Sequence, residues 1–295
     1  SRRGRHTDVV VDVQNGVPFF APLVRPKRPV VNLLHHVHRE QWQIIYPGLI
    51  GHLGWWLEPW VAPRVYRGLP YLTVSEATRT DLIGLGVRDS DISVVYNGID
   101  VPHPDHVAPR SPVPTVCVLG RLVPHKQVEH ALEAAARIRR EHRSVRFEIV
   151  GDGWWRERLE RRAHELAVDD VVTFHGAVSD PQRDRLLDRS WVLLAPSIKE
   201  GWGIAIMEAA ARGVPAIAYA SAGGVRESIL DGTTGVLVDD LDELVKRTAE
   251  LLGDGEKRAD LGDRARDRAA AFSWAGTGDT VSRILADVRR RYAGN

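Results

Sequence analysis

Short apolar runs alternate with amphipathic helical patterns along the last two thirds of the chain. In the stretch 127–142, apolar residues recur at the helical spacing of three and four: Val128, Ala131, Leu132, Ala135 and Ile138. The apolar runs before such helical patterns span 115–120, 145–151, 171–176, 191–196, 214–220 and 235–238. This alternation predicts an α/β fold, in which crossover helices connect the strands of a parallel, Rossmann-like sheet. Ligands bind outside the carboxyl ends of such strands, so the informative residues should follow the apolar runs.

The first hundred residues repeat this pattern more weakly. Four apolar runs, at 8–13, 29–35, 71–75 and 92–98, predict a second Rossmann-like sheet. Between the two halves, Val101 to Pro114 contains five prolines in fourteen residues. Proline removes an amide donor and disfavours helix in the residue before it, so an extended linker is expected. We predict a first domain at 1–100, a linker at 101–114, a second domain at 115–273 and a final helix at 274–295.

Charge and cysteine content narrow the classes of protein. The 295 residues carry 40 basic and 39 acidic side chains, a net charge of +1 that gives no electrostatic case for binding nucleic acid. The single cysteine, Cys117, lies inside an apolar run and is predicted to be a small buried residue. No run approaches the roughly 18 apolar residues of a membrane-spanning helix. A cytoplasmic protein is expected, with the inner face of a membrane as a further option.

The first cluster of candidate site residues is GRLVPHK, at 120–126. Gly120 ends an apolar run, where a glycine lets the backbone approach a ligand closely. Arg121 and Lys126 add two cations near the start of a helix, an arrangement suited to a diphosphate. A basic pair on the surface beside a helix start is the alternative interpretation.

The strongest local pattern is EGWGIAIME, at 200–208. Gly201 and Gly203 belong to a loop that opens a helix and exposes amide donors to a negative ligand. Glu208 lies inside the helix among apolar residues, so its carboxylate requires partners or a ligand with hydroxyl groups. Eight helical residues span about 12 Å. That separation argues against Glu200 and Glu208 as a hydrolytic pair, whose carboxyls lie roughly 5–9.5 Å apart.

Several ordered motifs resemble the family 4 glycosyltransferases. They are GRLVPHK, VGDG at 150–153, FHGAVSD at 174–180, APSIKEGWGIAIMEA at 195–209 and AGGVRESILDGTTGVLV at 222–238. The stretches VSEATRTDLIGLGV at 74–87 and VVYNGID at 94–100 are similar to that family as well, so the resemblance covers residues 8–275. It implies the GT-B fold, two Rossmann-like domains facing a cleft, with a C-terminal helix that crosses back to the first domain.

The resemblance also implies a role for each matching residue. The catalytic set would be His35, Arg121, Lys126 and Glu200. The donor-binding set would be Gly120, Gly176, Val178, Gly201, Trp202, Gly203, Ile204 and Glu208, with Glu208 on the ribose and the segment at Gly176 and Val178 against the base. His36, Trp55 and Trp56 are candidates for the acceptor side.

Family resemblance implies retaining transfer from a nucleotide-diphosphate sugar by front-face displacement, with no covalent enzyme intermediate, no cofactor and no metal. Catalysis would then consist mainly of positioning and charge stabilisation at the phosphates. The cluster HHVH at 35–38 is the one tempting metal site, and we do not predict a metal there. The expected acceptor is a hydroxyl of a glycan, a lipid-linked sugar or a small molecule.

The chain departs from the family pattern in two places. Its start resembles the third or fourth strand of the family's first domain, so that domain is expected to be truncated. A fragment, a shortened recombinant form or a partner polypeptide that supplies the missing half would each account for this. Gln127 also stands where the family often has glycine.

Two other interpretations stay open at this stage. A non-catalytic nucleotide-sugar-binding subunit would share the same motifs, as would an enzyme similar to sucrose or trehalose synthases. The stretch from Trp42 to Trp60 contains four tryptophans. These rings suit sugar stacking, an apolar acceptor or a membrane interface, and helix packing explains them equally well.

Overall fold

The computed structural model describes residues 8–25, 27–38, 56–103, 105 and 107–293. The chain divides into two compact units. One comprises Ser1–Gly98 together with Ser273–Asn295, and the other comprises Ile99–Phe272. Each unit is built on its own parallel sheet, which confirms the α/β prediction. The proline-rich segment 101–114 belongs to the second unit.

The first unit has a four-stranded sheet in the order β1-β2-β3-β4, with every described pairing parallel. Its strands are β1 (Val10–Gln14), β2 (Val30–Leu34), β3 (Tyr71–Thr73) and β4 (Ile92–Val94). Its described helices are α1 (Ala21–Val24), α2 (Ala62–Val65), α3 (Glu76–Gly84) and α11 (Trp274–Ala293), and a π-helical turn, Leu57–Val61, precedes α2. β2, β3 and β4 end before the apolar runs that predicted them, because the last residues of those runs leave the sheet for a loop, whereas β1 extends one residue beyond its run.

Helix α11 packs against the sheet of the first unit. Its apolar residues recur at spacings of three and four, which places them on one face: Val281, Ile284, Leu285 and Val288. They cluster with residues of β2, β3 and the segment after β4: Val31, Leu72 and Val95. At the start of the helix, a Cβ at Gly98 would lie 2.3 Å from the amide nitrogen of Trp274, so the two backbones are in direct contact.

The second unit has a six-stranded parallel sheet in the order β10-β9-β8-β5-β6-β7. Its strands are β5 (Thr115–Leu119), β6 (Arg146–Val150), β7 (Val172–Gly176), β8 (Val192–Ala195), β9 (Ala216–Tyr219) and β10 (Gly235–Val238). The larger helices are α4 (Val128–Ile138), α5 (Arg156–Glu165), α6 (Asp180–Arg189), α7 (Ile204–Ala211), α9 (Leu241–Gly253) and α10 (Gly255–Ala269), and the short α8 is Val225–Ser228.

The central strands β5, β8 and β9 of the second sheet are buried on both faces, as their nearly continuous apolar sequence requires. Cys117 lies at the centre of β5 and is fully buried, as predicted. The five apolar residues predicted to share one face of α4 are all buried in the same core. Side chains cap several helices, among them Asp240 of α9 and Asp254 of α10, each of which accepts an amide hydrogen bond from the first turn. None of the described helices is long and apolar enough to cross a membrane.

Candidate active site

The order of strands in the second unit reverses its direction at β5. From β5 the chain continues to β6 on one side, whereas β8 pairs with β5 on the other side. The loops after β5 and β8 therefore leave the sheet in opposite directions and flank a crevice. Lys126 follows β5 and Glu200 follows β8. The Lys126 Nζ lies 2.6 Å from Glu200 Oε1, and the two side chains are 23% and 16% exposed.

A third side chain holds the same carboxylate oxygen. The Ser197 hydroxyl donates a hydrogen bond of 2.7 Å to Glu200 Oε1, and Ser197 is only 2% exposed. Sequence analysis gave no role to Ser197, although it lies in the loop after a buried strand, three residues before Glu200. An ammonium and a hydroxyl on one carboxylate oxygen fix the orientation of the Glu200 side chain.

The loop after β5 is packed directly on the loop after β6. A Cβ at Gly151 would lie 1.9 Å from the carbonyl oxygen of Gly120, and the amide of Leu122 donates to the carbonyl of Asp152 at 2.9 Å. This contact places Arg121 on the exposed side of the loop. Gln127 adopts a left-handed backbone with φ of 45°, which explains why glycine is favoured at this position.

The loop at 200–203 is held by a second glycine loop. The amide of Glu200 donates to the carbonyl of Ala222, and the amide of Gly224 donates back to the carbonyl of Glu200, at 2.9 and 3.1 Å. Gly203, with φ of 90°, is the N-cap of α7, and Ile204 is the first residue of that helix. The donor-binding role of this backbone stays a prediction.

The indole ring of Trp202 is buried, so only the backbone of this residue is presented by the loop. The ring packs edge-on against Phe272, with the centroids 5.0 Å apart, and Ser228 Oγ hydrogen-bonds to the Trp202 carbonyl. The family resemblance likewise implies that the backbone of Trp202, with that of Gly201 and Gly203, holds the donor sugar.

Glu208 lies in α7 and has the partner that its apolar surroundings required. Arg183 of α6 approaches it, with Nη1 3.4 Å from Oε1. Burial raises the pKa of Glu208, and the charge of Arg183 opposes that shift. The sequence predicted that this carboxylate needs partners but did not identify Arg183, because the pair joins two helices.

The base-binding candidates Gly176 and Val178 stand at the carboxyl end of β7. Gly176 has φ of 70°, and a Cβ there would lie 2.8 Å from Nη1 of Arg156. Val178 packs against the core of the second unit. The structure thus gives Gly176 a reason to be glycine and gives Val178 a packing role.

In the first unit, the histidine cluster follows β2. His35 has an exposed side chain, and its backbone carbonyl accepts a hydrogen bond from Thr78 Oγ1 at 3.2 Å. Partial removal from water lowers the pKa of His35, and His38 adds to that shift. The rings of His36 and His38 stack with centroids 4.1 Å apart. The buried carboxylate of Glu58 accepts the amide hydrogen of His38 at 2.8 Å.

Two further predictions concern metals and tryptophans. Among the described residues, no group of three or more His, Cys, Asp or Glu side chains is arranged to hold a metal ion. Trp56 is half exposed, whereas Trp55 lies outside the described residues.

Two family models match the chain. The model of the glycosyl transferases group 1 matches residues 104–268, and the model of glycosyltransferase family 4 matches residues 2–103. The chain belongs to the family 4 glycosyltransferases, as its motifs indicated.

Two curated relatives are mannosyltransferases. The chain is 31% identical over 292 residues to the MMP alpha-(1->4)-mannosyltransferase of Mycolicibacterium hassiacum. This match covers 92% of this chain and 68% of that protein. It is 36% identical over 190 residues to the GDP-mannose-dependent alpha-(1-6)-phosphatidylinositol monomannoside mannosyltransferase of Mycobacterium tuberculosis. That match covers 60% of this chain and 47% of the relative, so the chain spans about half the length of such relatives.

Solved structures share the fold at low sequence identity. Sucrose-phosphate synthase from Thermosynechococcus elongatus superposes with a TM-score of 0.84 at 20% identity, covering 100% of this chain and 76% of that one. The Anabaena protein HepE, solved with UDP and glucose, superposes with a TM-score of 0.78 at 22% identity, covering 97% of this chain and 80% of that one. These structural similarities confirm the predicted GT-B fold.

Proposed function

We propose that the chain is a retaining glycosyltransferase that moves a sugar from a nucleotide-diphosphate sugar to an acceptor hydroxyl. The observation that carries this proposal is the cluster of Lys126, Glu200 and Ser197 at the switch point of the second sheet. A cation and an oriented carboxylate meet there, at the place where α/β sheets bind their ligands.

The cations suit the negative end of the donor. Lys126 and Arg121 follow β5, where a diphosphate would also meet the amide groups at the start of α4. In the proposed step the bond from the anomeric carbon to the diphosphate oxygen breaks, and a bond to the acceptor oxygen forms on the same face. The acceptor proton passes to the departing diphosphate. Lys126 and Arg121 stabilise the negative charge that develops on this leaving group.

The carboxylates suit the hydroxyl groups of the donor. Glu200, held on one oxygen by Lys126 and Ser197, would accept hydrogen bonds from the transferred sugar, together with the backbone of residues 201–203. Glu208 would accept from the two ribose hydroxyls. His35 of the first unit is a further proposed catalytic residue, and its lowered pKa keeps the ring neutral at pH 7. No metal is required in this scheme.

Comparisons with known proteins support the choice of donor class. The Mycobacterium tuberculosis relative is described as GDP-mannose-dependent, and HepE was crystallised with UDP and glucose. Because these two proteins point to different bases, both nucleotides belong in the test.

Titration calorimetry of this chain with UDP, GDP and ADP, with and without Mg²⁺, tests the donor site. We expect one nucleotide to bind without metal, and Lys126→Ala to weaken it about tenfold, the loss of one charge-assisted contact. Lys246→Ala, an exposed lysine on α9, is the matched control and should bind as the unaltered chain does. Binding that Lys126→Ala leaves unchanged would contradict the site.

Donor hydrolysis followed by proton NMR tests the reaction itself, because water replaces the acceptor. A retaining enzyme releases the sugar first in the anomeric configuration of the donor. Inversion would refute the proposed mechanism. Nucleotide-sugar binding without any turnover, with hydrolysis and acceptors both tried, would favour the non-catalytic subunit instead.

A further inference from the structure

Helix α6 presents a row of charged side chains to α7. The row consists of Asp180, Arg183, Asp184 and Asp188. Arg183 and Asp184 lie three and four residues after Asp180, and Asp188 lies four residues after Asp184, so they share one side of the helix. Opposite this row, α7 carries Glu208, and Arg212 follows immediately at its end. Oppositely charged side chains of the two helices form ion pairs.

Arg212 holds the far end of the row. Its guanidinium lies 2.6 Å from Asp188 Oδ1 and 2.7 Å from Asp184 Oδ2. Asp188 and Arg212 have side chains only 1% and 9% exposed. The Arg212 guanidinium thus bridges two carboxylates of α6 from the end of α7.

Arg183 serves the near end of the row, beside Glu208. Its guanidinium lies 2.9 Å from Asp184 Oδ1, 3.0 Å from Asp180 Oδ1 and 3.4 Å from Glu208 Oε1. Asp180 and Asp184 thus orient the guanidinium from its own helix. The contact to Glu208 is an ion pair longer than an optimal hydrogen bond, which leaves lone pairs of the carboxylate for other donors.

We propose that Arg183 is a positioning residue that holds Glu208 ionised and aimed at the ribose hydroxyls of the donor nucleotide. This inference rests on the proposed function, in which Glu208 binds the ribose. Arg183 itself touches the carboxylate and not the nucleotide. It therefore acts on the ribose end of the donor and leaves the diphosphate end to Lys126 and Arg121.

The charges around Glu208 explain why a cation is needed. Its neighbours on α6 are Asp180, Arg183 and Asp184, and its neighbour on α7 is Arg212. Burial and the two aspartates raise the pKa of Glu208, whereas Arg183 and Arg212 lower it. Without Arg183 the carboxylate faces two other carboxylates and is opposed only by Arg212, which is already engaged by Asp184 and Asp188. The protonated or rotated carboxyl would then bind a diol poorly.

Calorimetry with matched nucleotides separates this role from a structural one. The probes are UDP and GDP, each with its 2′,3′-dideoxy form. In the unaltered chain the ribonucleotide should bind at least about tenfold more tightly than the dideoxy form, as expected for hydrogen bonds to a charged group. Arg183→Ala should weaken the ribonucleotide about tenfold and leave the dideoxy form unchanged, so that the discrimination disappears.

Four further measurements sharpen the result. Arg183→Lys keeps the charge and should restore most of the discrimination, and Arg183→Gln, which removes the charge with less loss of packing, should behave as Arg183→Ala does. Arg185→Ala, an exposed arginine on the same helix, should leave both nucleotides unaffected. The pH profile of ribonucleotide binding in Arg183→Gln should lose affinity at a higher pH than in the unaltered chain, because the carboxyl of Glu208 protonates more readily.

The outcomes distinguish this inference from the proposed function. If the unaltered chain binds neither nucleotide, or binds both sugar forms equally, the assignment of the ribose to Glu208 fails and the inference fails with it. If the unaltered chain discriminates and Arg183→Ala and Arg183→Gln discriminate equally well, only the inference is overturned. An equal loss for ribonucleotide and dideoxynucleotide would also overturn it, since Arg183 would then support the fold or the diphosphate.

Discussion

The two units use the same kind of sheet in different ways. In the second unit the central strands β5, β8 and β9 carry no charged side chain, and the charged groups of the site stand in loops beyond the strand ends. In the first unit polar side chains lie within the strands themselves. Asp12 of β1 is buried and accepts the amide hydrogens of Phe19 and Ala21, at 3.2 and 2.9 Å. It also accepts the hydroxyl hydrogen of Tyr66.

This contrast separates two ways of building a rigid frame. The second unit relies on close backbone contacts at glycines, such as that of Gly151 with Gly120, and its core is otherwise tolerant of apolar exchange. The first unit relies on a buried hydrogen-bond network, in which Asn32 of β2 also donates to Gln14 of β1 at 2.8 Å. A network of this kind is costly to leave half satisfied. The units should therefore fail through different substitutions.

Gly151→Ala should have the largest effect, on the second unit. The new Cβ would meet the Gly120 carbonyl at 1.9 Å, and φ of 127° is unfavourable for alanine. We expect a loss of about 4 kcal/mol in the free energy of unfolding, measured by amide hydrogen exchange resolved by segment. Gly253→Ala is the control, since a Cβ there meets nothing within 4 Å. Equal stability of the two variants would contradict the packing argument.

Asp12→Ala should have the next largest effect, confined to the first unit. It leaves the Tyr66 hydroxyl and two amides without their acceptor, which should cost about 3 kcal/mol. Hydrogen exchange should accelerate in β1 to β4 and stay slow in the second sheet. Asp8→Ala, at an exposed aspartate 3.7 Å from Arg289, should change little. Destabilisation of both sheets together would show that the units do not respond separately.

Glu200→Ala tests chemistry in the second unit without disturbing its frame. The carboxylate is held by Lys126 and Ser197, so its removal should lower transfer about a hundredfold, or about 2.7 kcal/mol. Nucleotide affinity should change little because Lys126 remains. Kinetics and calorimetry on the same variant measure both quantities. Ser197→Ala, which removes one of the two partners of Glu200, should lose much less activity; wild-type transfer in Glu200→Ala would reject the assignment.

Gly278→Ala should have the smallest effect and the opposite sign. Gly278 lies inside α11 of the first unit, and a Cβ there meets nothing within 4 Å. Alanine should stabilise the helix by about 0.5–1 kcal/mol. Thermal unfolding measures the change, and a destabilisation would mean that the helix needs the glycine for a close contact.

The fold could be predicted because it depends on local periodicity. The buried face of α4 and the apolar runs of the second sheet appear directly in the order of residues. Lys126 and Glu200 could be proposed as site residues for a related reason, since each stands in a loop that follows a strand. The polar network of Asp12 was not found, because a charged residue inside an apolar run gives no sign of which distant groups it will accept.

The sequence by itself determined the α/β class, the order of strands and helices, the family and the need of Glu208 for partners. Only the tertiary structure decided that Ser197 shares the oxygen of Glu200 with Lys126, and that Arg183 faces Glu208. The contact of Lys126 with Glu200 joins loops that follow different strands, and the contact of Arg183 with Glu208 joins two helices. Their geometry depends on which strands become neighbours in the sheet, and that choice is made by packing the whole unit, beyond the reach of local periodicity.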